Sequence, residues 1–522
     1  MGTKSSLFKL LAVGAAVALA LGVFGAKRIS AKPALGGASR SSSPDEIDAY
    51  IEQQMARLSI PGASLAIVEG DKITHLRGFG QARPGEAPSP RTPFFIGSIT
   101  KSFTGVAVMQ LVEAGKIDLD APVQRYLPWF RVADPQASAQ ITVRHLLNQT
   151  SGLSTACGWI PLSDFDDSSG AAERQARALS TLALSHPVGS AFEYSNMNYN
   201  LLGLIVEAAT GESYSTYVQN HIFTPLEMHH SYTSRDAAKG NGLAMGYRYL
   251  FSSPTAAGDL PVPSGSLPSG QLISSAEDMA HYLIAHLDGG RYDNGRILSP
   301  ASIEELHRGV ADADEMGVKA GRYAMGWYDL DAGDTRLLWH TGVVPDFFAY
   351  MALLPEQKKG VAILINADHF MMVPVLTEVG VGVAALLADA EPPPSRFSFI
   401  PGTMRGLLLI PALQIAGTIA TLRLLRRWRG NPSRRPGGAR LWGLHILLPM
   451  IPNLSLAAIP VLLQASGLLG FFLLFMPDIT WLALISGGFA GVWALLRTWL
   501  ILRLIRSEPV CRSTRTGPLS ST

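Results

Sequence analysis

Three short motifs contain the reactive side chains of this chain, and they occur in a fixed order. They are Ser98-Ile99-Thr100-Lys101, Tyr194-Ser195-Asn196 and His340-Thr341-Gly342. Together they provide a serine near an amine, a phenol near an amide, and a glycine-containing segment that an acyl group can approach. Because an alcohol is a weak nucleophile until a neighbouring base removes its proton, these residue types predict a serine acyl enzyme.

The first motif predicts a helix that begins at about Ser98. Residues i and i+3 lie on one helix face, so the amine of Lys101 can reach the hydroxyl of Ser98. The start of the helix also supplies free backbone N–H groups near a developing oxyanion. Lys101 can act as a base only when it is partly neutral, a state that burial favours.

The second motif predicts a proton relay and a polar clamp. Positive charge on Lys101 lowers the pKa of a neighbouring phenol, which makes Tyr194 a candidate base or relay. Asn196 is predicted to hold Lys101 through its side-chain carbonyl and a substrate amide through its nitrogen.

The third motif predicts a substrate-binding strand edge made of His340, Thr341, Gly342 and Val343. A glycine at this edge lets the substrate backbone approach closely. The Val343 N–H is a candidate second donor to the oxyanion.

Each motif is weak evidence when taken alone. About one Ser-x-x-Lys is expected by chance in a chain of this size, and its ordinary interpretation is a helix-capping serine. A tyrosine near a capping asparagine and a structural histidine at a strand end are equally ordinary. The joint occurrence of all three in order favours the catalytic interpretation.

The elements around the motifs predict an α+β fold. A hairpin is expected from strands at 63–68 and 73–79, and three more strands are expected at 337–341, 347–354 and 361–366. Helices are expected over 45–58, over 104–112 and in about 16 residues ending near 389. These elements predict an antiparallel sheet built from both ends of the domain and flanked by helices, with an all-helical subdomain inserted at about 118–286.

The composition divides the 522 residues into a globular part and a membrane part. The chain is 47% hydrophobic with a mean hydropathy of +0.19, which favours segments in lipid. From Gly402 onward there are 13 arginines, no lysine and only two acids, Asp478 and Glu508, although the net charge of the whole chain is only +2. The globular part therefore has an excess of acids.

Apolar runs at 406–422, 441–476 and 479–502 predict a C-terminal helical membrane domain of about three spans. The middle run is too long for one helix, and we expect its span at Leu454–Met476. Seven arginines between the first two spans predict a cytoplasmic loop, and more arginines place the C-terminus there too. The globular part is then expected outside, in a multi-pass protein of the cell membrane.

The predicted domains follow from these runs and from the linkers. Residues 1–32 form either a signal peptide or an N-terminal membrane anchor, because an apolar run of roughly 17 residues fits both. We expect a linker at 33–44, the globular domain at 45–390, a proline-rich linker at 391–404, the membrane region at 405–505 and a cytoplasmic tail at 506–522.

The sequence resembles the serine β-lactamase and penicillin-binding-protein superfamily, in the branch of class C β-lactamases and D-Ala-D-Ala carboxypeptidases. The resemblance covers Ile47 to Leu386, and besides the motifs it is carried by FFIG at 94–97, LVEAGKIDLDAPVQRY at 111–126, ITVRHLLNQTSGL at 141–153 and PSGQLISSAEDMAHYL at 268–283.

This resemblance implies roles for the motif residues. Ser98 is implied as the acylated nucleophile, Lys101 as its activating partner and Tyr194 as base or relay, and Asn196 matches the position that binds the lysine and the substrate. His340 falls where many members have lysine. Histidine anchors a carboxylate less well than lysine at neutral pH, so strong β-lactam hydrolysis is not implied.

The leading hypothesis is a membrane-anchored, outward-facing serine hydrolase in the bacterial cell envelope. It would cleave an amide or ester in a peptidoglycan peptide, another small molecule or a β-lactam. The alternative is a non-catalytic or slowly deacylating sensor of penicillins or peptides. A transporter with an accessory outer domain has little support, because the tail shows no repeat and no acid within a span.

Membrane lipid is the other expected partner, and no cofactor, metal or nucleic acid is expected. The acidic loop with Asp164, Asp166 and Asp167 lacks a suitably spaced histidine, and the arginines flank apolar runs. The two cysteines, Cys157 and Cys511, are not expected to pair.

Overall fold

The structure is a computed structural model that describes residues 42–168, 170–315, 318–333 and 335–506. The predicted N-terminal signal peptide or anchor, nearly all of the linker at 33–44 and the tail after 506 lie outside these residues. The described chain forms two compact units. The larger unit contains the described residues up to Arg405 and also Gly467–Asp478, which we call the connecting segment, and the smaller unit contains the remaining described residues.

The larger unit is built on an antiparallel sheet of eight strands in the order β2-β1-β14-β13-β12-β11-β10-β9. Short strands form three further small sheets, one of three strands and two of two. The strands are β1 (Gly62–Glu69), β2 (Lys72–Gly80), β3 (Phe94–Phe95), β4 (Tyr247–Leu250), β5 (Ser253–Ala256), β6 (Ile273–Ser274), β7 (Arg291–Tyr292), β8 (Gly295–Arg296), β9 (Ala311–Glu315), β10 (Val318–Tyr323), β11 (Tyr328–Asp331), β12 (Arg336–Val344), β13 (Phe347–Leu354), β14 (Lys359–Ile365) and β15 (Ala367–Asp368).

The main sheet joins the two ends of the domain, as the sequence predicts. In the register between β1 and β14, Ala63 lies opposite Ile365 and Glu69 opposite Lys359. The β12–β13–β14 meander then carries the third motif into the centre of the sheet. The α+β architecture with an antiparallel sheet is confirmed.

Most helices of the larger unit lie between β2 and β9 in the sequence, and many of them lie in the subdomain predicted at 118–286. The prediction that this subdomain is all-helical is wrong, because β4, β5 and β6 also lie in it. The helices of this unit are α1 (Pro44–Leu58), α2 (Thr100–Glu113), α3 (Pro135–Gln140), α4 (Val143–Leu147), α5 (Thr155–Trp159), α6 (Ala171–Arg177), α7 (Asn196–Thr210), α8 (Tyr214–Val218), α9 (Arg235–Gly240), α10 (Leu267–Gly270), α11 (Ala276–Leu287), α12 (Pro300–His307) and α13 (Val373–Leu387).

Helices cover both faces of the main sheet. Every residue of β13 is buried, and successive side chains of a strand point to opposite faces, so both faces must be covered. Helix α13 packs against β13 and β14 and carries α1 on its other side, while α11 packs against β1 and β14. Helix α1 starts in a capping box, in which Ser43 and Glu46 bond each other's backbone N–H groups.

The smaller unit contains three long apolar helical stretches. The smaller unit contains α15 (Leu409–Gly430), α16 (Gly438–Arg440), α17 (Leu448–Ser466) and nearly all of α19 (Pro477–Arg506). Two further helices lie in the larger unit, α14 (Ile400–Gly406) up to Arg405 and α18 (Leu469–Phe475) in the connecting segment.

Among the described residues, four helical stretches are long and apolar enough to cross a membrane. Three are Ile400–Gly430, Gly438–Ser466 and Pro477–Arg506, and their side chains are mostly not buried in the protein. The fourth, Phe370–Leu387, is 72% buried and belongs to the larger unit, where it covers the sheet. The first three support membrane association, because exposed apolar helices of this length suit lipid.

The predicted middle span at Leu454–Met476 is wrong. The candidate span is Gly438–Ser466, and the helix ends there because Gly467 adopts a φ of +74°, a conformation that terminates helices. The following helix α18 packs in the larger unit. Pro452 and Pro460 lie inside helix α17, although proline often breaks a helix.

Candidate active site

The first motif lies at the junction of a 3₁₀ turn and helix α2. The turn is Gly97–Ile99, and α2 continues it from Thr100. Ser98 is partly exposed whereas the side chain of Lys101 is completely buried, one helical turn further on. The Nζ atom of Lys101 lies 2.9 Å from Oγ of Ser98, so the pair predicted from the spacing is in contact.

Two further oxygens surround the amine of Lys101. Its Nζ atom lies 2.8 Å from Oδ1 of Asn196 and 2.6 Å from the carbonyl oxygen of Ser269. Both oxygens can only accept hydrogen bonds, so they take the two N–H bonds of a neutral amine. The lone pair of that amine then points at the Ser98 hydroxyl, which is the arrangement that a general base requires.

Burial favours this neutral amine. The pKa of Lys101 is lowered well below its usual value because its side chain is removed from water, which penalises the charged form. The rings of Tyr194 and Tyr199 lie 4.8 Å and 5.7 Å from Nζ. When the amine is protonated, these ring faces stabilise the cation.

The second motif lies at the start of helix α7. Ser195 precedes the helix, and Asn196 is its first residue. The Nδ2 atom of Asn196 donates to the carbonyl oxygen of Gly158 at 3.3 Å, which fixes the side chain with Oδ1 towards Lys101. Tyr194 is partly exposed, and its ring centroid lies 4.8 Å from Nζ of Lys101.

The third motif lies on an open strand edge. The pairing of β12 with β11 ends at Trp339, so the edge beyond it faces the turn that carries Ser98. A Cβ atom on Gly342 would lie 1.9 Å from the carbonyl oxygen of Ile96, and one on Gly97 would lie 2.3 Å from the Val343 nitrogen. Because Gly97 and Gly342 have no side chains, the Val343 nitrogen can lie close to the turn that carries Ser98.

Gly97 also needs its freedom of backbone conformation. Its φ is +53°, a left-handed value that side chains disfavour, in the turn that carries the partly exposed Ser98. Because Val343 is partly exposed, a substrate carbonyl oxygen can reach this edge, where the Ser98 and Val343 N–H groups are its candidate donors.

His340 and Thr341 lie behind this edge rather than on its surface. They are 1% and 2% exposed. The Nδ1 atom of His340 lies 2.6 Å from the carbonyl oxygen of Thr341, so it must carry the proton and donate. The Nε2 atom lies 3.4 Å from the hydroxyl of Tyr323, which donates to it.

The imidazole of His340 is therefore neutral. Burial lowers its pKa to about 3, with a further contribution from the charge of Lys101. A lysine at this position would carry a positive charge for a substrate carboxylate, and His340 carries none at neutral pH.

Sequence reasoning missed three contributors to the site. Ser269 and Gly158 contribute backbone carbonyl oxygens, which leave no side-chain signature, although Ser269 lies in one of the stretches that carry the family resemblance. Tyr323 is a buried partner of His340, and no local pattern relates two residues on different strands.

No metal site is found among the described residues, which contain no group of three or more histidine, cysteine, aspartate or glutamate side chains suited to an ion. In the acidic loop, Asp164 and Asp166 form ion pairs with Arg174. Cys157 is a buried free thiol whose pKa is raised by burial, so it is a poor nucleophile.

The fold and the Ser98 site define a class of protein, and comparison with known families gives the same class. Residues 47–385 match the family model described as Beta-lactamase. The chain therefore belongs to the beta-lactamase family of serine hydrolases, whose relatives include penicillin-binding proteins.

Two curated relatives show how far the similarity extends. Protein flp of Staphylococcus aureus (strain MW2) is 29% identical over 497 residues, which cover 91% of this chain and 93% of that protein. This similarity therefore reaches into the C-terminal helices. Penicillin-binding protein 4 of Amycolatopsis lactamdurans is 30% identical over 317 residues, covering 59% of this chain and 81% of that protein.

Two solved structures share the fold. The octameric penicillin-binding protein homologue from Pyrococcus abyssi has a TM-score of 0.58 and 28% identity, and the similarity covers 67% of this chain and 78% of that one. The D-amino acid amidase from Ochrobactrum anthropi SV3, complexed with L-phenylalanine amide, has a TM-score of 0.56 and 26% identity, covering 66% and 96%.

Proposed function

We propose that the chain is a membrane-anchored serine hydrolase that cleaves an amide or ester through an acyl-Ser98 intermediate. The observation that carries this proposal is the set of contacts around Lys101. Nζ of Lys101 lies 2.9 Å from Ser98 Oγ and also contacts two obligate acceptors, Asn196 Oδ1 and the Ser269 carbonyl oxygen. A neutral amine that donates to both acceptors turns its lone pair towards Ser98.

Acylation follows from these positions. The neutral Lys101 amine takes the proton of Ser98 Oγ as that oxygen attacks the substrate carbonyl carbon. The oxyanion that forms accepts hydrogen bonds from the Ser98 and Val343 N–H groups. Tyr194, beside the resulting ammonium, passes a proton to the leaving nitrogen or oxygen, the bond to the carbonyl carbon breaks, and acyl-Ser98 remains.

Deacylation uses the same groups with water as the nucleophile. The Lys101–Tyr194 pair removes a proton from water as it attacks the acyl carbon, and Ser98 leaves with a proton returned by Lys101. Asn196, whose Oδ1 is held by Lys101, has a further amide hydrogen for a substrate carbonyl.

The substrates proposed are small amides, esters and peptides. The relatives named as penicillin-binding protein and as D-amino acid amidase support peptides of the cell wall and amino-acid amides as candidates. The neutral, buried His340 supports substrates that do not depend on a cation for a carboxylate, so we expect β-lactams to acylate the enzyme slowly. His340 and Thr341 would shape the edge from behind, while Gly342 and Val343 meet the substrate.

We also propose that the larger unit lies on the outer side of the cell membrane. The arginine-rich loop between the first two candidate spans favours the cytoplasm. The connecting segment, between the second and third candidate spans, belongs to the larger unit. The second candidate span separates the arginine-rich loop from the connecting segment, so the two lie on opposite sides of the membrane if all three candidate spans cross it. A cytoplasmic arginine loop then puts the connecting segment outside, which supports an outward-facing hydrolase.

Labelling of the active site tests the proposed chemistry. Full-length protein in detergent, as wild type and as Ser98→Ala, is treated with a fluorescent penicillin and separately with a fluorophosphonate, and the adduct is mapped by mass spectrometry. Labelling at Ser98 that is absent from the variant supports the proposal. If neither reagent labels folded wild-type protein, the hydrolase assignment fails. A penicillin adduct that persists for hours would instead favour a sensor.

A further inference from the structure

The connecting segment is an integral part of the larger unit, although it lies more than sixty residues beyond Arg405 in the sequence. The ring of Phe471 stacks on that of Trp159, with centroids 4.5 Å apart and planes within 4° of parallel. Phe475 stacks on Phe471 and meets the edge of Phe370. Such aromatic pairs stabilise a contact beyond the area they bury.

A buried polar contact fixes the end of the connecting segment. Asp478 accepts from Nε2 of His369 at 2.9 Å and from the Phe251 backbone nitrogen at 2.6 Å. Nδ1 of His369 accepts from the Met371 N–H, so the ring proton lies on Nε2. Because a buried carboxylate is costly without partners, these bonds define one position for the segment.

The connecting segment also forms part of a cavity of about 350 Å³. Leu474 and Phe475 line it together with Val344 and Gln271. Val344 follows the candidate oxyanion donor Val343. Gln271 follows Gly270, where a Cβ atom would lie 3.9 Å from the Ser98 nitrogen. Two lining residues, Val344 and Gln271, are therefore sequence neighbours of residues at the candidate site, and the connecting segment forms another wall of the cavity.

The chemistry of the lining favours an apolar occupant. The cations at the cavity already have acidic partners, because Arg235 and Lys239 both pair with Asp259 and Arg83 pairs with Glu86. The remaining lining is rich in apolar side chains, including Phe95, Val344, Phe347, Leu474 and Phe475. A pocket of this size and character holds an apolar group of a small ligand.

We propose that the connecting segment completes an acyl-binding cavity and makes the enzyme selective for substrates with a long or bulky apolar acyl group. This inference rests on the proposed function, in which the acyl part stays on Ser98 while the leaving group departs. A cavity walled on several sides suits the part that stays. Leu474 and Phe475 are then specificity-determining residues supplied by the chain between two candidate spans.

Two neighbouring leucines provide a matched test. Leu474 lines the cavity and Leu473 does not, although both lie on helix α18. Full-length wild type, Leu474→Gln and Leu473→Gln in detergent are assayed for kcat/KM with p-nitrophenyl acetate and p-nitrophenyl octanoate. These esters share a leaving group and differ only in the acyl chain. Leu474→Met, which restores an apolar side chain, is the rescue variant.

The wild type is expected to prefer octanoate over acetate by about tenfold or more, because the added methylenes leave water. Leu474→Gln is expected to lower kcat/KM for octanoate about fivefold and to change that for acetate less than twofold, since a polar wall opposes an apolar chain. Leu473→Gln should leave the ratio unchanged and Leu474→Met should restore it.

The outcomes separate this inference from the function on which it rests. If wild type hydrolyses both esters but Leu474→Gln leaves the octanoate-to-acetate ratio as it is, the acyl cavity is refuted and the hydrolase stands. If Leu473→Gln lowers the octanoate-to-acetate ratio as much as Leu474→Gln does, the acyl cavity is also refuted, because the loss would then come from packing of helix α18 and not from the cavity wall. If wild type hydrolyses neither ester and takes no fluorophosphonate label, the proposed function itself fails.

Discussion

Among single residues, the protonation of Lys101 matters most for the proposed chemistry. Its amine is useful as a base only when neutral, and burial lowers its pKa well below the usual value. Acylation by a fluorophosphonate should therefore speed up as the pH rises through this lowered pKa and then level off. A rate that falls as the pH rises over the same range would contradict the role of Lys101 as base.

Replacement of the amine tests the same residue directly. Lys101→Met keeps most of the buried volume and removes the base, so the acylation rate should fall about 10³-fold. The same change at the exposed Lys116 is expected to leave the rate as in the wild type. Retention of the rate in Lys101→Met, measured by stopped-flow labelling, would show that another group activates Ser98.

The contact between Ser98 and Lys101 could be predicted from the sequence because spacing along one helical turn is a local property. Ser98 and Lys101 are one helical turn apart, and their contact follows from that spacing. The burial of His340 follows from its place on a central strand and from Tyr323 on another strand, so only the assembled sheet reveals it. The carbonyl of Ser269 has no residue-type signal at all.

Among the elements, the close approach of strand β12 to the nucleophile turn positions the candidate oxyanion donors. Gly342→Ala would place a Cβ atom 1.9 Å from the Ile96 carbonyl oxygen, so the strand must move away from the turn. We expect at least about a 10²-fold loss of acylation rate, comparable to the loss of one oxyanion donor.

A matched glycine serves as the control for this prediction. Gly240 has open space around a Cβ atom and no left-handed φ, so Gly240→Ala is expected to keep full activity. Both variants are compared by labelling rate and by circular dichroism. Full activity in a folded Gly342→Ala protein would remove Val343 from the proposed mechanism.

A second pair of elements, helices α11 and α12, holds two buried histidines in contact. Nδ1 of His286 lies 2.9 Å from Nε2 of His307. Burial lowers the pKa of His307 to about 3 and that of His286 well below its usual value. Between pH 6.5 and 3 the unfolded chain therefore binds protons at these sites that the folded chain does not bind.

The free energy of unfolding should consequently fall as the pH falls through this window. For His307 the loss between pH 7 and pH 5 is about 2 kcal/mol. This loss is measured by urea unfolding of the full-length protein at both pH values, with tryptophan fluorescence as the readout. His307→Gln should reduce the loss and the same change at the exposed His229 should not. Equal losses in all three proteins would contradict the assignment.

Secondary structure in the larger unit was largely predictable because it follows local patterns. The β1–β2 hairpin and the β12–β13–β14 meander lie where alternating and apolar runs predicted them. The end of helix α17 at Ser466 was not predicted, since the apolar run continues past it. The stacking of Phe471 on Trp159, more than three hundred residues away, separates α18 from the span, and no local pattern contains that contact.

For the whole molecule, the proposed orientation can be tested by chemical labelling of intact cells. In a Cys157→Ser, Cys511→Ser background, a cysteine is placed either at the exposed Ser433, in the arginine-rich loop, or at the exposed Ser253, in the larger unit. A membrane-impermeant maleimide should label only the second before lysis and both after it. Labelling of the Ser433 position in intact cells would reverse the orientation.

The connecting segment also sets an order of events during synthesis of the protein. The hydrolase residues up to Arg405 leave the ribosome before the first two candidate spans, and the segment with Phe471 and Asp478 follows both. At usual elongation rates this delay lasts roughly 3 to 12 seconds. During it, Trp159 lacks its stacking contact with Phe471 and His369 lacks its contact with the Asp478 carboxylate. The larger unit therefore reaches its final packing only once the second candidate span has been made. In the proposed membrane-anchored protein, this order couples maturation of the hydrolase unit to membrane insertion.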